Sequence, residues 1–249
     1  MIGILGGMGT QAGLDFCNKL AILNRGKIDQ DYPLFILYNK SDIPGRPQSI
    51  GVQTSKIFNK NLNKKSRKKY SLVLKSLIKG CDLLSKSKCA FIVIPCNTAH
   101  YWYEDLQKKT KLPIINMPKE VYKFTKKSCK KKCSIGLLAT EGTIKTGVYN
   151  KFFDKDFKLV FPKKIIQKNS VNKSIRFVKM GNVKAASKVI IPAINYLIKQ
   201  KCKKIILGCT ELPIAIFAFK SFKKIKSSKI FLDPNLILAY AAMKKLKNR

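Results

Sequence analysis

The segment Ile92-Val93-Ile94-Pro95-Cys96-Asn97-Thr98 has a counterpart in the second half of the chain, Ile205-Ile206-Leu207-Gly208-Cys209-Thr210. Each is a short apolar run rich in β-branched residues that ends in a cysteine followed closely by a threonine. The openings of the two halves also match, with Ile2-Gly3-Ile4-Leu5-Gly6 against Ile135-Gly136-Leu137-Leu138-Ala139. Such runs, bounded by turn residues and alternating with helix-period stretches, read as buried strands of parallel sheets. A chain that repeats them in this order is expected to build two similar α/β units, with one cysteine at the same strand end in each.

The remaining elements fill that frame. In the first half Ile2–Leu5, Leu34–Tyr38, Phe91–Ile94 and Pro113–Asn116 read as strands. Tyr70, Leu74, Leu77, Ile78, Cys81 and Leu84 fall on one face of a helix between the second and third. In the second half Ser134–Ala139, Lys158–Phe161, Lys204–Leu207 and Lys229–Leu232 read as strands. Ala186, Val189, Ile190, Ala193, Ile194 and Leu197 mark a helix that Pro192 should kink. The lysine-rich segment near Lys119–Lys132 reads as the link between halves. Asp233-Pro234 is a helix start, so Asn235–Leu246 is expected to be a closing helix that returns to the first half. The expected fold class is α/β: two pseudo-symmetric lobes, each a short, mostly parallel sheet flanked by helices, with the active site in the cleft between them. Residues 1–117 plus 234–249 form the expected N-terminal lobe, and 118–233 the C-terminal lobe.

The formal charge of +38 invites a nucleic-acid reading. Of the 51 basic residues, however, only Arg25, Arg46, Arg67, Arg176 and Arg249 are arginine, and the lysines are spread along nearly the whole chain. That distribution is a compositional bias on solvated faces, so no specific nucleic-acid partner is expected. No apolar stretch is long enough to span a bilayer, and no basic segment precedes the first apolar run as a signal peptide requires. A cytoplasmic location without membrane association is the expectation. Of the eight cysteines only Cys129 and Cys133 are close in sequence, and His100 is the sole histidine, so neither a disulfide framework nor a metal site is expected.

Ligands of parallel α/β sheets bind at the carboxyl ends of the strands, where Cys96 and Cys209 stand. Each precedes an expected helix start, whose N–H groups should favour thiolate. Two sulfurs facing one pocket from opposite sides would suit removal of a proton from one face of a carbon and its return to the other. The turn Gly6-Gly7-Met8-Gly9 follows a strand, and Gly7, Gly9 and Ala12 satisfy the dinucleotide pattern G-x-G-x-x-A. The second strand ends at Tyr38-Asn39-Lys40 without the required acid, so the turn is better read as backbone donors for a small anion. Arg46, held between Gly45 and Pro47, supplies a guanidinium fork suited to a carboxylate.

At these residues the chain resembles the aspartate/glutamate racemase family, and within it the aspartate-racemase branch. The resemblance runs nearly end to end. It is carried by Gly6–Gly9, Asp42–Arg46, Pro95-Cys96-Asn97-Thr98-Ala99-His100, Gly136–Thr143 and Leu207-Gly208-Cys209-Thr210-Glu211-Leu212. It implies no cofactor, neither pyridoxal phosphate nor metal, and a homodimer. It also implies Cys96 and Cys209 as the two acid/base residues. By the same resemblance Asn97, Thr98, Thr143 and Thr210 bind the α-carboxylate or ammonium group or orient the cysteines, with Gly7, Met8 and Gly9 beside them. Arg46 and Lys179 receive a side-chain carboxylate, and Glu211 supports Cys209. Thr10-Gln11-Ala12-Gly13 departs from the family's proline-containing turn, and Gly45 replaces a polar residue before the arginine. Glu211 tilts the substrate toward aspartate, where glutamate racemases carry histidine. The expected activity is two-base racemisation of a small acidic amino acid. The alternatives are a glutamate or broad-specificity racemase, a maleate isomerase or an arylmalonate decarboxylase of the same superfamily. Outside catalysis, the alternative is a small-ligand or polyanion-binding protein on a racemase scaffold.

Overall fold

In a computed structural model of the chain, residues 1–50, 64–130, 132–218 and 228–248 are described. Strands β1 (Ile2–Gly6), β2 (Phe35–Asn39) and β3 (Phe91–Val93) form a parallel sheet in the order β2-β1-β3. Around it lie α1 (Thr10–Leu23), α2 (Lys64–Lys86), α3 (Tyr103–Lys109) and α4 (Met117–Ser128). Strands β4 (Ser134–Ala139), β5 (Lys158–Val160), β6 (Lys204–Gly208) and β7 (Phe231–Leu232) form a second parallel sheet in the order β5-β4-β6-β7. Its helices begin with α5 (Glu141–Thr146), α6 (Asn150–Phe153) and α7 (Lys164–Ile166). The π-helical segment Gln167–Asn172 joins α7 to α8 (Lys173–Lys179). Then come α9 (Val183–Val189), α10 (Ile191–Lys199), α11 (Leu212–Phe217) and α12 (Pro234–Lys247).

The two sheets are topological copies. β1 and β4 are flanked alike, by β2 and β5 on one side and by β3 and β6 on the other. Beside β3 a single parallel bridge, Ile92 to Ile114, occupies the position that β7 holds in the second sheet. The predicted strand Pro113–Asn116 is thus reduced to one bridge. Its last residue, Asn116, is diverted to cap α4, accepting the Lys119 N–H at 3.0 Å, with Pro118 in the first turn. Asp233 does the same for α12, accepting from the N–H groups of Asn235 and Leu236 ahead of a first-turn proline. The predicted link near Lys119–Lys132 is therefore mostly helix. α4 and α12, equivalent by this repeat, pack against each other, and α12 also packs on α1.

The join of α12 to α1 is polar and buried. Asn235 Nδ2 donates to the Ala12 carbonyl at 3.0 Å and to Asp15 Oδ2 at 2.9 Å. Lys19 Nζ stands 2.5 Å from Asp15 and 2.7 Å from Asp233. Every donor in this set meets an oxygen, the condition under which buried charge is tolerated. The expected kink at Pro192 is a break. Helix α9 ends at Val189 and α10 starts at Ile191, with Pro192 in its first turn, where its missing N–H costs nothing. The predicted strand from Lys229 contracts to Phe231–Leu232 behind a 3₁₀ turn at Ser228–Ile230.

β1, β3 and the inner residues of β4 and β6 are buried, as sheets covered on both faces require. The turn leaving β1 depends on one glycine. Gly7 has φ +87°, and a Cβ there would stand 2.2 Å from the carbonyl carbon and oxygen of Lys40. Gly7→Ala is expected to destabilise the fold by about 3 kcal/mol, through left-handed strain and backbone overlap together. A urea melt measures it, and a loss below about 1 kcal/mol would mean that the turn relaxes freely.

Candidate active site

Cys96 comes shortly after β3 and Cys209 directly after β6, at matching ends of the two sheets. They are only 6% and 7% exposed. The main chain at Cys96 is fixed by His100. The Met117 N–H donates to His100 Nε2 at 3.1 Å, so Nδ1 carries the proton and donates to the Cys96 carbonyl at 2.9 Å. Burial depresses the imidazole to about 4, which keeps it in this neutral form. His100 is thus a buried structural residue that ties α4 to the cysteine turn.

Cys209 has a different environment. Its Sγ–H donates to Glu211 Oε2 at 2.9 Å, and the Thr210 hydroxyl donates to the same oxygen at 3.4 Å. The other oxygen of Glu211 lies 3.5 Å from Lys179 Nζ. Burial, and next the Glu211 carboxylate, push the Cys209 thiol well above its ordinary value. This reverses the sequence expectation that a helix start would favour thiolate at this residue. Helix α11 begins only at Leu212, and full burial beside a carboxylate outweighs the dipole of a six-residue helix.

Polar contacts join the two halves here. Thr98 Oγ1 lies 2.7 Å from Thr143 Oγ1 and 3.2 Å from Thr140 Oγ1, where Thr140 caps α5 by accepting the Thr143 N–H. Tyr149 OH donates to Asn97 Oδ1 at 2.5 Å. A Cβ on Gly9 would stand 3.2 Å from Glu211 Oε1, so the glycine turn of the first half meets Glu211 of the second. The turn in turn holds Arg46, whose Nη2 donates to the Met8 carbonyl at 2.6 Å while Nη1 reaches the carbonyls of Ile43 and Pro44 at 3.2 and 3.4 Å. These carbonyls orient the guanidinium without neutralising it, and its buried Nε has no hydrogen-bond partner. Instead of standing ready as an open fork, then, Arg46 is clamped to the loop.

The predicted residues gather into two connected sets. Cys96, Asn97, Thr98 and Thr143 form one; Cys209, Thr210, Glu211, Lys179, Gly9, Met8 and Arg46 form the other, with Gly7 at the base of the same turn. Two participants were missed. Thr140 sits within a motif quoted for its likeness, yet nothing in its spacing marks its hydroxyl. Tyr149 is fully buried, in contact with Asn97 and in the electrostatic field of Cys209 and Asp233. Nothing local announces it. Burial pushes the half-buried Cys17 and the buried Cys202 up to about 11 and the buried Cys81 to about 12, which favours the thiol form at each. Among the described residues no group of histidine, cysteine and acidic side chains could hold a metal ion, and no helix is long and apolar enough to cross a membrane.

The polar residues beside the two cysteines, Asn97, Thr98, Thr143, Thr210 and Glu211, are buried as well. A groove of about 820 Å³ does open elsewhere, between α4 and α12, but it contains none of these residues.

Comparison with known proteins gives this arrangement its context. The family model described as Asp/Glu/Hydantoin racemase matches residues 5–241. The chain is 27% identical to the broad specificity amino-acid racemase RacX of Bacillus subtilis (strain 168), over 97% of this chain and 99% of that protein. The solved structure of Picrophilus torridus aspartate racemase superposes with a TM-score of 0.77 at 28% identity, covering 98% of this chain and 93% of that one. A glutamate racemase from Francisella tularensis, solved with D-glutamate, shares the fold at a TM-score of 0.65 and 19% identity, covering 99% and 81% of the two chains. From β1 to the closing helix, this chain belongs to the Asp/Glu/Hydantoin racemase family and is a racemase.

Proposed function

We propose that the enzyme racemises an acidic amino acid, aspartate foremost, by a two-base mechanism in which Cys96 and Cys209 serve opposite faces of the α-carbon. The observation that carries this reading is the pair of nearly buried cysteines at equivalent strand ends, with the halves joined between them by Thr98, Thr143, Asn97 and Tyr149. In one direction the Cys96 thiolate takes the α-proton, and the Cys209 Sγ–H delivers its own proton to the other face. The product leaves with Cys96 as thiol and Cys209 as thiolate, a form ready for the reverse direction; release of the Cys96 proton to water and uptake of one by Cys209 reset the enzyme for another forward turnover. Charge that develops on the substrate carboxylate is met by preorganised donors in a site shut off from water. Arg46 draws the distal carboxylate by the charge that its carbonyl partners leave uncompensated, with the unpartnered Nε as its free donor. An arginine beside the glycine turn supports aspartate or glutamate, and the likeness to the Picrophilus aspartate racemase favours aspartate.

Glu211 holds the Cys209 thiol in place and keeps it protonated at rest. The proposed direction requires Cys209 as thiol, so the alkaline limb of kcat/KM marks loss of the Cys209 proton. Because Glu211 raises the pKa of that thiol, Glu211→Gln is expected to move the alkaline limb to lower pH and leave the acid limb in place. An unmoved alkaline limb in the pH profile would contradict this role. The function itself is tested by incubating the purified enzyme with a panel of L-amino acids and maleate, followed by chiral chromatography. Aspartate should be racemised fastest. Comparable rates on neutral amino acids would instead support the second reading, a broad-specificity racemase, which the similarity to RacX favours.

A further inference from the structure

Tyr149 belongs to the second half of the chain, yet its hydroxyl ends on a residue of the first. It lies between α5 and α6, just beyond the left-handed Gly147 that ends α5. Its ring packs on Phe153 with centroids 5.9 Å apart. Its OH donates to Asn97 Oδ1 at 2.5 Å, and both residues are buried. A hydroxyl so placed is a neutral donor: burial, with Asp233 and Cys209 nearby, holds it far above its ordinary ionisation range.

The consequence lies on the other side of the amide. With Oδ1 accepting from Tyr149, the amide presents its NH2 group on the other side; the reversed amide would donate to the hydroxyl and turn Oδ1 towards an incoming carboxylate, which it would repel. That leaves Asn97 Nδ2 buried with no acceptor. A buried donor without a partner is costly unless something arrives to accept from it. Asn97 is the residue directly after Cys96, and its neighbour Thr98 is bound to Thr143 across the interface.

We infer that Tyr149 is a positioning residue: its hydroxyl locks the Asn97 amide so that Nδ2 faces a carboxylate oxygen of the substrate, and it couples the placement of Cys96 to the half that carries Cys209. The inference rests on the two-cysteine reading and gives Tyr149, there only a link between the halves, a role in catalysis. The Nδ2 donor gains strength as the carboxylate takes up charge from the departing α-proton, so the contribution is larger in the transition state than in the ground state. Tyr149 acts through Asn97 and touches no reacting atom.

The test is a double-mutant cycle with aspartate as substrate. Tyr149→Phe keeps the ring and removes the hydroxyl. It is expected to lower kcat about tenfold, the kinetic equivalent of one hydrogen bond, with little change in KM. In an Asn97→Ser background the same change should cost nothing further, since the group it positions is gone. A purely structural tyrosine would give losses that multiply, and that result, or an undiminished kcat in Tyr149→Phe, overturns the inference. A second measurement follows the Asn97 side-chain amide by ¹H–¹⁵N NMR, assigned by its absence in Asn97→Ser. It should shift or broaden in Tyr149→Phe, and an unaltered signal is also contradictory. If the wild-type enzyme racemises nothing, the proposed function fails while this amide readout still reports on the Tyr149 contact, so the two failures are distinct.

Discussion

Cys96→Ala and Cys209→Ala are each expected to lower racemisation by about 10³-fold or more, because each removes one of the two groups to which the proposed mechanism assigns the proton transfers. The loss should fall on kcat, with substrate still bound by Arg46 and the threonines. Neither change should unfold the protein. Replacing cysteine by alanine deletes a single sulfur from a side chain that touches the edge of the core, a cost of about 1 kcal/mol. The two variants should differ in one respect. In Cys209→Ala the Glu211 carboxylate loses the thiol that donates to it and keeps Thr210 and Lys179. In Cys96→Ala the His100 clamp is untouched, because it grips the main chain rather than the sulfur. Substantial racemisation by either variant, assayed by chiral chromatography beside a circular-dichroism melt, would remove that cysteine from the mechanism.

Arg46→Lys is expected to lower kcat/KM for aspartate by about 10- to 100-fold, mainly through KM, while leaving any neutral amino acid nearly unaffected. Lysine keeps the charge but has one nitrogen to offer, and here a guanidinium spends its Nη atoms on the carbonyls of Met8, Ile43 and Pro44 while the Nε donor has no partner. An ammonium cannot hold the Met8 carbonyl, brace the loop and meet a carboxylate together. Steady-state kinetics on both substrate classes separates the two jobs. An equal loss on acidic and neutral substrates would make Arg46 a loop clamp with no part in choosing the substrate.

Much of this site is legible in the sequence because parallel strands buried on both faces are written as continuous apolar runs. The cysteines stand at the end of two such runs, so their equivalence could be read from Ile92–Thr98 and Ile205–Thr210 alone. What could not be read depends on three dimensions. Tyr149 is far in sequence from Asn97, and no periodicity links them. The strand expected at Pro113–Asn116 has apolar residues of the right kind, but only Ile114 pairs, because Asn116 is needed as a helix cap. The ionisation of Cys209 was misjudged for a related reason. A helix start is visible in sequence as Glu211-Leu212-Pro213, whereas the burial that outweighs it is a property of the packed core. Lys179, one lysine among many, is found only through its 3.5 Å approach to Glu211.

The proposed mechanism requires two separate proton carriers. The direct measurement is a reaction of wild-type enzyme with L-aspartate in deuterium oxide, stopped early and resolved by enantiomer. Two opposed thiols require the D-aspartate formed to carry deuterium at the α-carbon while the remaining L-aspartate keeps its original hydrogen. Deuterium appearing equally in both enantiomers from the first turnovers would point to a single shared base and contradict the opposed roles of Cys96 and Cys209.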